Sequence, residues 1–203
     1  VYPKWVGKCE NCGEWNSLVE QAVAGGKSAV AKSATSGRVL TPQTMQSIAA
    51  EETIIRMSTG QPDLDDVLGG GILPGGVVLV AGQPGIGKST LLLQVAAAIG
   101  KKEAVLYASG EESANQVKLR AERLGADQQE QLQFVASTSA DDIAATIRSG
   151  AYRLVIIDSI QTLSLDEITS APGTVSQITN SSNVIIRAAK EANAAVVLVG
   201  HVT

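Results

Sequence analysis

Short apolar runs recur along the chain at residues 77–81, 104–109, 132–136, 154–158 and 195–200, and stretches with helical spacing separate them. The runs are too short for buried helices and are rich in Val, Ile and Leu, so they predict strands covered on both faces. Residues 89–98 follow the first run as a predicted helix. Residues 112–124 follow the second, with Val117, Ala121 and Leu124 on one face and Gly125 as a stop. Ser139 and Asp142 give a capping-box-like start to a helix ending near Gly150, and a longer helix is predicted from about 176 to 192. Strand and helix alternate from about residue 53 onward. That order predicts an α/β fold, a mostly parallel sheet with helices on both faces.

The N-terminal quarter reads differently. Residues 1–20 are polar and hold Tyr2, Trp5 and Trp15. Residues 21–52 are rich in small residues and poor in large apolar ones, a composition that suits a flexible linker. The predicted organisation is therefore a small module at 1–20, a linker at 21–52 and a core at 53–203.

Charge narrows the choice of partner. Five basic residues against three acidic ones leave +2 on residues 1–50, so the overall −4 places −6 on the remainder. An acidic core does not attract nucleic acid in bulk, although oligomerisation could still build a local basic channel. No stretch approaches the roughly 20 apolar residues of a membrane span. With two cysteines and no secretory signal order at the N-terminus, a reducing cytoplasm is the simplest compartment.

The chemistry lies between the first strand and its helix. Gly82-Gln83-Pro84-Gly85-Ile86-Gly87-Lys88-Ser89 fits the phosphate-loop pattern G-x-x-x-x-G-K-[ST]. Backbone N–H groups that wrap phosphate oxygens must approach closely, and glycines at 82, 85 and 87 clear the way. Lys88 supplies a point charge to the β- and γ-phosphates, and the Ser89 hydroxyl can ligate Mg²⁺. With Thr90 beside them, these residues form the candidate ATP-binding set. The run LVIID puts Asp158 at the end of a buried strand, a Walker B element able to hold the Mg²⁺ hydration shell. Hydrolysis also needs a group that orients or deprotonates water. Glu111 and Glu112 follow the second strand at the same sheet edge. Either could serve, or both could be a first-turn acidic pair favoured by a helix dipole. No guanine-reading NKxD motif and no LSGGQ stretch occurs, which disfavours GTPases and ABC transporter ATPases.

The segment STGQPDLDDVLGGGILPGG at 58–76 resembles the entry to RecA-type ATPases. Together with YASGEES at 107–113 and DSIQT at 158–162, it resembles the bacterial RadA DNA-repair ATPases, and KWVGKCENCGEWN at 4–16 is similar to the end of their four-cysteine zinc module. The resemblance implies a RecA-like core preceded by a zinc-ribbon-like module. It also implies DNA-dependent ATP hydrolysis that drives branch migration along single-stranded or branched DNA in recombination and repair. A homo-oligomeric, hexameric ring and a recombinase partner go with it. By position it makes Lys88, Ser89 and Asp158 the ATP–Mg²⁺ residues and Glu111 the water-activating carboxylate. It also makes His201 a sensor of the γ-phosphate, a position where an ordinary surface histidine is the alternative. Residues 170–177 match a first DNA-contacting loop, or form an ordinary turn before a helix.

Two departures qualify the resemblance. Cys9 and Cys12 are one C-x-x-C pair, whereas a closed zinc site takes four ligands, so Zn²⁺ is expected only in a full-length protein. The family's KNRFG motif and protease-like domain are also missing, and the chain reads as truncated at both ends. Other functional classes remain in play: a KaiC-like regulatory ATPase, with which the tandem Glu111 and Glu112 are compatible and against which the cysteine-bearing module speaks, or a fragment that binds ATP without turnover.

Overall fold

Each apolar run becomes a strand in the computed structural model, which describes residues 40–47 and 55–201. The strands are β1 (Val77–Gly82), β2 (Val105–Ser109), β3 (Leu132–Ala136), β4 (Leu154–Asp158) and β5 (Ala195–His201). They pair in the order β1-β5-β4-β2-β3, every pair parallel. The helices are α1 (Pro62–Val67), α2 (Lys88–Ile99), α3 (Ala114–Leu124), α4 (Ala140–Ser149) and α5 (Val175–Glu191), with one 3₁₀ turn at Ile160–Thr162. Parallel neighbours need crossovers, and the helices supply them on both faces.

Alternation along the central strands builds two cores. Val105, Tyr107, Leu154, Ile156, Val197 and Val199 pack with Leu92, Leu93 and Val117 of α2 and α3. Leu106, Ala108, Val155, Ile157, Val196 and Leu198 pack with Ile143, Ile147 and Ile185 of α4 and α5. Successive strand residues point to opposite faces, so an unbroken apolar run is what a strand between two helix layers requires. Every residue of β2 and β4 is buried. On β1, which borders the sheet formed by the described residues, burial alternates instead, and Leu79 stays 65% exposed.

The spacing signals place most helices to within a residue or two. Ser139 caps α4, its hydroxyl accepting the Asp142 N–H at 3.1 Å. The start of α3 differs: Glu111 and Glu112 both precede its N-cap Ser113, so they are not a first-turn pair. Helix α1 went unrecognised in the sequence, although Pro62 at its start and Asp63 and Asp65 in its first turn are helix-start signals. Asp65 clasps the entry segment, accepting from Ser58 Oγ at 2.6 Å and from Thr59 N and Oγ1 at 2.8 and 2.7 Å. Partial desolvation acts to raise its pKa, but these hydrogen bonds outweigh it and hold the carboxyl below its ordinary value.

Between the 3₁₀ turn and α5, the chain is pinned by one buried side chain. Gln177 donates through Nε2 to the carbonyls of Leu165, Ile168 and Ser170 at 3.4, 3.0 and 2.9 Å, and accepts the Leu165 N–H at 3.0 Å. A carboxamide carries both donors and acceptor, whereas an apolar side chain of similar size leaves these backbone groups unpaired. Gln177→Leu is expected to cost about 2–4 kcal/mol. Urea unfolding and faster proteolysis between 165 and 174 would read it, and an unchanged midpoint would contradict it.

The chain divides into two compact units, 1–49 and 50–203. In the first, residues 45–47 form a turn in which the Ser47 N–H meets the Thr44 carbonyl at 3.0 Å. The module at 1–20 with Cys9 and Cys12, and most of the 21–52 segment, lie outside the described residues. Among the described residues no helix is long and apolar enough to cross a membrane.

Candidate functional site

Register alone gathers the polar residues. Gly82 at the end of β1 pairs with His201 at the end of β5, and Ser109 at the end of β2 pairs with Asp158 at the end of β4. All strands are parallel, so these ends share one sheet edge, the side on which open α/β sheets bind ligands. The loops at 83–87 and 110–113 leave from that edge, and Lys88 opens α2 directly after the first.

The phosphate loop takes the form its glycines predict. Gly85 and Gly87 have φ of +79° and +99°, and a Cβ at either would meet no protein atom within 4 Å. These glycines are therefore required by backbone handedness, and the turn is bare of side chains where an anion must come close. Gln83, Pro84 and Ile86 are exposed around it, as is Thr90 on the first turn of α2, while Ser89 is half-buried. Lys88 is buried. Its ammonium donates to the Gly82 and Gln83 carbonyls, each at 2.9 Å, and lies 3.3 Å from Nδ1 of His201. This cation is held by two neutral carbonyls and one imidazole and has no carboxylate partner among the described residues, a setting suited to a phosphate oxygen. The loop, the buried lysine and the N-terminus of a 12-residue helix therefore fit a nucleoside triphosphate.

His201 is not an isolated surface residue. Its side chain is 27% exposed, with Nδ1 toward Lys88 and Nε2 at 3.4 Å from Oε1 of Glu111. An ammonium can only donate, so Nδ1 accepts, and the neutral tautomer protonated on Nε2 satisfies both contacts. The same Glu111 oxygen also accepts from the Ser159 hydroxyl. Lys88, His201, Glu111 and Ser159 thus form one continuous polar chain. Ser109 fixes its approach by accepting the Glu111 and Glu112 N–H groups at 3.3 and 3.1 Å. Gly110 lets this loop lie against the 3₁₀ turn, because a Cβ there would stand 2.2 Å from Thr162 Oγ1.

The two glutamates part ways. Glu111 reaches the polar chain with a 42% exposed side chain. Glu112 instead takes Arg120 of α3 as its ion-pair partner, leaving Glu112 Oε2 and Arg120 Nη1 buried without partners. Of the two, Glu111 is the one linked through His201 to Lys88 of the loop.

Asp158 is 5% exposed. Its Oδ2 accepts the Tyr107 hydroxyl at 2.6 Å, and Oδ1 takes no hydrogen bond from a described residue. A buried carboxylate with one anchored and one unengaged oxygen is a suitable hard ligand for a cation's water shell, with the Ser89 hydroxyl on the loop side. Burial, then the Asp158 charge and hydrogen bond, push the Tyr107 phenol well above its ordinary pKa. Tyr107, Ser159 and Gln177 were visible in the sequence only as letters inside longer motifs. The signal that could have singled out Tyr107 is a phenol in an otherwise apolar strand.

Comparisons with known proteins agree with this geometry. Residues 44–203 match the family described as an AAA domain, and residues 1–20 match a rubredoxin metal binding domain. The chain is 43% identical over its whole length to a DNA repair protein RadA of Pseudomonas aeruginosa, covering 44% of that protein. It is 47% identical over 98% of its length to the RadA of Listeria monocytogenes, covering 43% of it. To the RadA of Escherichia coli it is 38% identical over its whole length, covering 45%. The chain thus spans less than half the length of these relatives. Among solved structures, a DnaB-like replicative helicase studied with primase superposes with a TM-score of 0.61 at 18% identity, over 76% of this chain and 45% of that one. That likeness bears out the RecA-like phosphate-loop fold. With the first of these matches spanning most of its length, the chain belongs to the AAA-domain family, and its whole sequence is similar to the RadA DNA repair proteins.

Proposed function

We propose that this chain is the nucleotide-hydrolysing core of a RadA-type, DNA-dependent ATPase of homologous recombination and repair, promoting branch migration along single-stranded DNA. One observation carries the reading. At a single sheet edge, Lys88 of the phosphate loop and Asp158 meet a second carboxylate, Glu111, tied through His201 back to Lys88.

In the mechanism, Lys88 exchanges the Gly82 and Gln83 carbonyls for β- and γ-phosphate oxygens of ATP. Residues 82–90 wrap the phosphates with backbone N–H groups at the start of α2. Ser89 and Asp158 are the residues that would hold Mg²⁺, which when bound neutralises charge on the phosphate oxygens. Glu111 orients the attacking water and accepts its proton. His201 loses its lysine donor once Lys88 turns to phosphate, and so is placed to register the γ-phosphate and pass the change on through Glu111.

Residues 170–177, braced by Gln177, are the proposed DNA-contacting loop. The core is acidic, so the proposed grip on single-stranded or branched DNA is a channel formed between copies, in the homo-oligomeric, hexameric ring that the resemblance implies. A recombinase is the proposed protein partner, and the compartment is the cytoplasm. Cys9 and Cys12 would contribute to a zinc site in the full-length protein, in line with the rubredoxin-like match. No observation favours the regulatory-ATPase alternative, and the similarity to the RadA proteins over the whole chain supports the motor reading instead.

The test is the ATPase rate of the full-length protein with and without single-stranded DNA, measured beside this chain. DNA is expected to raise the full-length rate. A full-length rate indifferent to DNA would overturn the motor reading.

A further inference from the structure

We infer that Tyr107 is a positioning residue for the Asp158 carboxylate, fixing Oδ2 so that Oδ1 is the oxygen offered to a divalent cation. The inference rests on the phosphate-loop reading above and deepens it. It begins with register. Tyr107 on β2 pairs with Ile156 on β4, and residues two apart on a strand share a face, so Asp158 lies one step further along the same face. A phenol spans that step, and its hydroxyl meets Oδ2 at 2.6 Å.

Packing alone does not call for the hydroxyl. The Tyr107 ring is 1% exposed and stacks on Phe134 with centroids 6.3 Å apart, a role that phenylalanine fills equally well. A hydroxyl buried in this apolar layer is costly unless bonded, and Asp158 is its partner. The torsion that turns an aspartate carboxylate is broad and roughly two-fold, so an unanchored carboxylate samples orientations that exchange its oxygens. One short hydrogen bond from a rigid ring removes that freedom. Groups that bond to a ligating carboxylate commonly set metal affinity without touching the metal.

The experiment uses the full-length protein, a non-hydrolysable ATP analogue and Mn²⁺ as probe, followed by electron paramagnetic resonance. Tyr107→Phe removes one oxygen and keeps the ring on Phe134. It is expected to weaken nucleotide-dependent Mn²⁺ binding about tenfold, to leave metal-free nucleotide affinity unchanged, and to move the Mg²⁺ midpoint of turnover upward with recovery at high Mg²⁺. Phe134→Leu disturbs the same packing but leaves the hydroxyl, so it lowers the melting temperature without moving the Mn²⁺ titration. Tyr107→Met, which fills the space without a hydroxyl, repeats the measurement if the phenylalanine variant does not fold. Wild-type Mn²⁺ affinity in the folded variant would overturn the inference and leave the phosphate-loop reading standing. Absence of a nucleotide-dependent Mn²⁺ site in the unaltered protein would remove both.

Discussion

Lys88→Ala is expected to abolish nucleotide binding by the full-length protein and to lower DNA-dependent turnover by at least about 10²–10³-fold. The ammonium is buried, and no carboxylate in the described structure holds it. Its charge is therefore free to be spent on phosphate, where an anion meets a fixed cation at a helix N-terminus with little water between them. The alanine also leaves two loop carbonyls without their donor, which favours other loop conformations. Equilibrium binding of a fluorescent ATP analogue and a steady-state ATPase assay read both effects. Turnover at the unaltered rate would refute the assignment of this loop as the hydrolytic centre.

Glu111→Gln is expected to separate binding from chemistry. The amide keeps the size of the carboxylate, and its carbonyl oxygen can still accept from Ser159, so the loop after β2 keeps its place. What disappears is the capacity to take a proton from water. Turnover should fall about 10²–10⁴-fold while ATP affinity stays near that of the unaltered protein. The same exchange at Glu112 provides the contrast. It weakens the ion pair with Arg120 and lowers thermal stability, yet leaves turnover nearly intact. Equal losses of turnover at the two positions would contradict the division of roles argued from the geometry.

The two glutamates also show where sequence reading reaches its limit. Adjacent in the chain and chemically identical, they carry no periodic signal that separates them. Their difference arises from Arg120, eight residues on, and from His201, 90 residues on along the chain. Strands β2, β4 and β5 were legible because burial between two helix layers demands unbroken apolar runs, a local property of composition. The phosphate loop was legible because its glycines, lysine and serine are contiguous. Strand order was not, since nothing local to residues 77–81 says that their partner lies at 195–200. The reach of Tyr107 to Asp158 and of Lys88 to His201 depends on that order, so these contacts emerged only with the register in hand.

The same pairing bears on how the molecule comes into being. Among the described residues β1 has a single neighbour in the sheet, β5, and their partnership joins Val77 to Val196. A nascent chain that has just exposed the phosphate loop thus has nothing to lay β1 against. At ordinary synthesis rates of about 5–20 residues per second, the ribosome needs about 6–24 seconds more to deliver β5. During that interval β2, β3 and β4 can already assemble with their crossover helices, while β1 waits as an apolar strand exposed to chaperones. The loop between β1 and α2 therefore gains its seat only once β5 has been made, so nucleotide assists a later step than the assembly of β2, β3 and β4.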